Sequence, residues 1–131
     1  MVTKKISTKK YVLMSVNAAL EKKARRISIL NVKKVSSISD YFIVCSGSSD
    51  RQVQAIASFI EETLKKEGKR PLGIEGERIG KWVLMDYGDI IIHIFYEPVR
   101  DFYDLERLWT DVPRVDIDDN ASGLTTLGRG I

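Results

Sequence analysis

RPLGIEGERIGKWVLMDYGDIIIHIFYEPVRDFYDLERLW, residues 70–109, carries the signals that decide the fold. The runs at 81–86 and 90–96 are rich in Val, Ile, Phe, Tyr and Trp, side chains that suit a pleated, half-buried surface. Between them, Asp86-Tyr87-Gly88-Asp89 sets a glycine between two acids, which marks a hairpin turn. Alternation along the first run puts Trp82, Leu84 and Asp86 on one side and Val83 and Met85 on the other. A tryptophan, a leucine and a carboxylate on one side admit two readings. They form a contact patch, because interfaces concentrate aromatic anchors ringed by polar groups. Alternatively, Trp82 packs under a helix while Asp86 caps the turn.

Working outward, residues 71–75 form a short strand ahead of the hairpin, separated from it by the glycine-punctuated turn Gly76-Glu77-Arg78-Ile79-Gly80. After the hairpin, Glu97-Pro98 opens a last helix, since proline suits a first helical turn. Phe102, Leu105 and Trp109 are expected along its inner face, supported by Leu108. Upstream, Val53, Ile56, Ala57, Ile60 and Leu64 fall on one helical stripe. Ser49 with Gln52 three residues on matches a capping box, and Gly68 supplies the left-handed stop. Residues 27–35 and 38–45 read as two strands, and residues 8–26 as an opening helix. The expected order is α-β-β-α-β-β-β-α, an α/β fold with a single five-stranded mixed sheet flanked by helices. Residues 1–110 are expected to be one domain, and residues 111–131, polar and without periodicity, a flexible tail.

The 131 residues are 44% hydrophobic and 30% charged, a globular composition long enough for one core. No apolar run approaches the roughly 20 residues of a membrane span, and no signal peptide is visible, so a cytoplasmic location is the default. The net charge of +3 is unevenly spread. Residues 1–35 carry ten Lys/Arg against one Glu, whereas residues 36–110 carry nine against thirteen acids. A basic end on a mildly acidic body fits either a first helix lying near phosphates or an ordinary solvated helix face, and does not itself establish RNA binding.

Catalytic signals are weak. Ser46-Gly47-Ser48-Ser49 before a helix invites an anion reading but lacks the lysine of a P-loop and the spacing of a dinucleotide loop, and a structural cap fits it better. Nucleotidyl transfer needs paired carboxylates, two residues apart on one face of a neighbouring strand, to hold two divalent ions. Asp86 and Asp89 flank a turn instead, and Asp40 has no partner two residues away. His93, the one histidine, has no second ligand or nucleophile nearby in sequence and is either core or contact. Cys45, the one cysteine, lies in an apolar run as a small hydrophobe. No cofactor or metal is called for.

Taken together, SDYFIVCSGSSDRQVQAIA, PLGIEGE, the strand Trp82–Asp86, DYGDIIIHIF and FYDLERLW resemble the ribosomal silencing factor family, also called Iojap, over residues 9–109. The resemblance implies a nucleotidyltransferase-like fold without its metal-binding acids and a non-enzymatic translation repressor. Such a protein binds the large ribosomal subunit through ribosomal protein number fourteen and sterically blocks joining with the small subunit when nutrients are short. Related organellar proteins act in large-subunit assembly. The family's contact surface maps here to Trp82 as apolar anchor, Leu84 as its flank, Asp86 facing a basic group and Tyr87 at the turn. Glu75, Arg78 and Lys81 fall on the rim. The basic first helix then lies near ribosomal RNA. An exposed Trp82 would also permit a homodimer in the free protein. A divergent nucleotide-handling enzyme, with nucleotide near residues 46–50, is the alternative from another class.

Overall fold

The computed structural model describes residues 6–128 and 131. Lys4 and Lys5 of the basic segment, and positions 129 and 130 of the expected tail, lie outside the described residues. The elements are α1 (Thr8–Glu21), β1 (Arg25–Asn31), β2 (Tyr41–Gly47), α2 (Asp50–Lys66), β3 (Gly73–Glu75), β4 (Trp82–Asp86), β5 (Ile90–Tyr96), α3 (Glu97–Tyr103), a 3-10 turn (Leu105–Trp109) and β6 (Arg114–Asp116). The sheet runs β3-β4-β5-β2-β1-β6. It is mixed: β2 and β5 pair in parallel, and the other neighbours are antiparallel.

The sheet has six strands, where five were expected. Arg114–Asp116 pairs with β1 through Ser28, Ile29 and Leu30. Beyond it, Ile117, Ala121, Leu124 and Leu127 pack against the core, and Asn17 bonds the Leu124 backbone in both directions. The segment expected as a tail is therefore part of the packed structure. Three residues are too few to show an alternating pattern; pairing with the open edge of β1 is what orders them.

One layer of helices covers one face of the sheet. Val53, Ile56, Ala57, Ile60 and Leu64 of α2 are buried as the stripe required, against Ile43, Cys45, Val83, Met85, Ile92 and Ile94. Each of these larger aliphatic side chains contributes about 2 kcal/mol by leaving water. Ser49 caps α2, its hydroxyl accepting from the Gln52 amide. The Gln52 side chain returns to Ser48, accepting from both its amide and its hydroxyl, so the reciprocal half of the expected box is shifted by one residue.

Several boundaries differ from expectation: β1 begins at Arg25, β2 runs on to Gly47 and β3 begins at Gly73, and three further shifts have a local cause. α1 ends at Glu21, because Lys23 turns left-handed with φ +62 and the chain must then enter β1. β1 stops at Asn31, because the amides of Val35 and Ser36 turn back onto the Val32 carbonyl. β2 starts at Tyr41, since the Ser36 hydroxyl accepts from the Ile38 and Ser39 amides and keeps them in a turn. α3 departs further. Asp104 adopts φ +46, which ends the helix and restarts the chain as a tighter 3-10 turn. That break changes the phase of the helical face. Leu105 and Trp109 still pack inward with Val99, but Phe102 is 82% exposed and Leu108 70% exposed.

Candidate functional site

The second face of the sheet is covered only in part. Val99, Leu105 and Trp109 lie over Leu30, Val44 and Phe95, so that cover reaches β5 and leaves the β3-β4 edge beyond Trp82 without a helix over it. Strand alternation assigns this face: along β4, Trp82, Leu84 and Asp86 are half-buried while Val83 and Met85 are sealed. Register then sets their neighbours. Trp82 pairs with Phe95, Leu84 with His93 and Asp86 with Ile91. Across the other edge, Glu75 pairs with Leu84.

Trp82 answers to both sequence readings. Its ring stacks on Phe95 at 4.9 Å and meets Tyr103 of α3 at 5.1 Å. Its Nε1 donates to His93 Nδ1 at 3.1 Å. The indole is thus held on one side, while its free side shares a hollow of about 270 Å³ with Glu75, Gly76 and Leu84. Gly76 is needed there: its φ is +82, and a Cβ would lie 2.0 Å from the Trp82 carbonyl oxygen. One Asp86 oxygen accepts from the Gly88 amide at 2.8 Å, bracing the turn.

The other expected contacts separate. Glu75 joins the patch. Arg78 and Lys81 are exposed on the adjacent turn, which Gln54 fastens to α2 through the Glu77 and Arg78 carbonyls. Lys81 lies over the Tyr96 ring at 4.5 Å. Tyr87 does not belong: it is 5% exposed and packs in the helix-covered core. Burial raises its hydroxyl pKa, with Glu61 adding to the shift. The alternation that groups Trp82, Leu84 and Asp86 continues past the strand end and sends Tyr87 the way of Val83 and Met85. That signal was present in the sequence. Phe42, 5.9 Å edge-on to His93, was not foreseen. Only the parallel pairing of β2 with β5 brings it there.

His93 is 7% exposed, and burial lowers its pKa to about 4. The bond from Trp82 requires Nδ1 to be the unprotonated nitrogen. Between pH 6.5 and 4 the unfolded chain takes up a proton that the folded chain refuses, so stability rises with pH across that window. Acidification from pH 7 to 4 is therefore expected to remove about 3 kcal/mol through this group. Burial is the largest single influence on Glu106 and Asp116 and raises their pKa, but their bonds and charge attraction to arginines, with Ser28 on Asp116, together outweigh it and hold both low, so their losses begin further into acid. Urea unfolding at stepped pH tests this, with NMR titration of the imidazole; a His93 pKa near 6.5 would overturn it.

The Ser46–Ser49 loop is occupied by structural bonds. Ser46 Oγ accepts from Arg100 at 3.0 Å, Ser48 bonds Gln52, and Ser49 caps α2. Asp50 already places a carboxylate in the first helical turn. Asp86 and Asp89 do not converge: Asp89 bonds Thr8 and pairs with Lys69. Among the described residues, no three His, Cys, Asp or Glu are placed to hold a metal ion. Cys45 is buried, which pushes its thiol up to about 12. No described helix is long and apolar enough to cross a membrane. Lys9, Lys10, Lys22 and Lys23 are exposed on or just after α1, in the layer behind the sheet rather than on the patch.

A family model described as "Ribosomal silencing factor during starvation" matches residues 5–127. The ribosomal silencing factor RsfS of Halalkalibacterium halodurans is 38% identical over 113 residues, covering 86% of this chain and 97% of that protein. A mouse protein named "Mitochondrial assembly of ribosomal large subunit protein 1" is 31% identical over 100 residues, 74% of this chain and 44% of that one. A crystal structure of a Chromobacterium violaceum protein superposes with a TM-score of 0.78 at 36% identity, covering 79% of this chain and 87% of that chain.

Proposed function

Because this chain belongs to the ribosomal silencing factor family, we propose that it represses translation by binding the large ribosomal subunit and obstructing the small one. The observation that carries this reading is the half-exposed Trp82, set among Leu84, Asp86 and Glu75 on a sheet face that α3 covers only in part. An aromatic fixed by neighbours loses little freedom on binding, so its burial is turned efficiently into affinity. Following the family resemblance, the docking partner is ribosomal protein number fourteen. The acids beside Trp82 meet basic groups there, and Arg78 and Lys81 serve at the rim. Ribosomal RNA is met by the lysines of the helix layer. The protein acts in the cytoplasm without a cofactor and without catalysis, on a nucleotidyltransferase-like framework that lacks the paired acids.

A bulky domain occupying the joining face needs no chemistry, since exclusion of the second subunit is enough. The test uses purified subunits. The protein is expected to sediment with large subunits and, added first in excess, to reduce the joined fraction in proportion to occupancy. Absence from the large-subunit peak would overturn the proposal. A second reading, an assembly factor for the large subunit, is favoured by the name of the mouse relative. Stable binding with undiminished joining would select it.

A further inference from the structure

We propose that the docking surface continues past the sheet onto the end of α3, through Tyr103 to Phe102, and that this extension takes a basic protein surface. The inference rests on the proposed large-subunit binding and specifies how much of this chain takes part. Phe102 is 82% exposed and Tyr103 54% exposed, with their rings edge to face at 5.2 Å. Tyr103 in turn touches Trp82, so Leu84, Trp82, Tyr103 and Phe102 form one apolar stripe from β4 to the helix end. The stripe lies at the very end of α3, which the left-handed Asp104 stops directly after Tyr103.

Charge identifies the occupant. Glu75 and Asp86 flank the β4 end of the stripe, and Asp101 and Asp104 flank the α3 end. Of the nearby cations, Arg26 is held by Glu97 and Asp101, and Lys81 lies on Tyr96. Arg78 on the adjacent turn and Arg107 in the 3-10 turn are the cations that follow, against Glu75, Asp86 and Asp104, none of which is in an ion pair among the described residues. Such a border repels a phosphate backbone and suits lysine and arginine side chains around an apolar centre.

Two measurements with purified large subunits test this. Phe102→Ser is expected to keep its thermal midpoint, since the ring is in solvent, yet bind roughly 10-fold more weakly. Binding within twofold of wild type would overturn the inference while leaving the proposed function intact. A benzoyl-phenylalanine at position 102, illuminated in the complex, is expected to give an adduct that survives ribonuclease and contains a basic ribosomal protein. An adduct destroyed by ribonuclease, or none from a variant that still sediments with the subunit, would assign the contact to RNA or to no partner and overturn it. If wild-type protein fails to sediment with large subunits, the functional reading fails and this inference with it.

Discussion

Replacing Arg100 by methionine is expected to lower the unfolding free energy by about 3–5 kcal/mol, the range for removing one partner of a buried ion pair. Arg100 is 2% exposed, an unusual position for a guanidinium. Its Nε and Nη2 grip the two Glu106 oxygens at 3.1 and 3.0 Å, while Nη1 donates to Ser46 and to the Arg26 carbonyl. Glu106 also receives Arg114, which bonds Ser28 and Asp116. The network rivets α3, the 3-10 turn and β6 to the inner strands. Methionine fills similar space but leaves the Glu106 carboxylate with only the longer Arg114 contact and the Arg26 carbonyl without its side-chain donor. Chemical denaturation measures the loss. The double variant Arg100→Met/Glu106→Gln should recover part of it, because the uncompensated charge is gone. A loss below 1 kcal/mol for the single variant would show that the pair is not buried in solution.

Trp82→Ala is expected to weaken large-subunit binding at least ~30-fold, or about 2 kcal/mol or more, as for an aromatic anchor at the centre of an interface. The variant also gives up packing on Phe95 and Tyr103 and the bond to His93, so its unfolding midpoint should fall. The core beneath, Val83 and Met85 against α2, is untouched, and the fold should persist. Titration against purified large subunits, below the variant's unfolding temperature as judged by circular dichroism, separates the two effects. Undiminished affinity in a folded variant would remove Trp82 from the site. Glu75→Gln should act differently, slowing association at low salt with little change in dissociation.

The hairpin, the α2 stripe and the Ser49 cap could be read directly because each is a local pattern. Residues two apart share a strand face, and residues three or four apart share a helix face, whatever the rest of the chain does. The β6 strand, the Asp104 break and the interior position of Arg100 could not. Arg-Val-Asp pairs only because β1 offers an unpaired edge, and Asp104 turns left-handed without glycine to announce it. An arginine in an amphipathic helix looks like a surface residue until Glu106, Ser46 and a carbonyl converge on it. Tyr87 is a different case: its burial followed from the alternation already used for Trp82, and only its place in the turn obscured this.

By itself the sequence determined that Trp82, Leu84 and Asp86 share a side, since pleating is set by covalent geometry. It also carried the family pattern, which is spread over many short segments. Tertiary structure alone decided which side of the sheet α1 and α2 would cover and where α3 would stop short. Those outcomes depend on pairings between strands far apart in the chain, above all β2 beside β5. The same long-range packing leaves the tryptophan side half open, sets His93 beneath the indole and sends Phe102 into solvent.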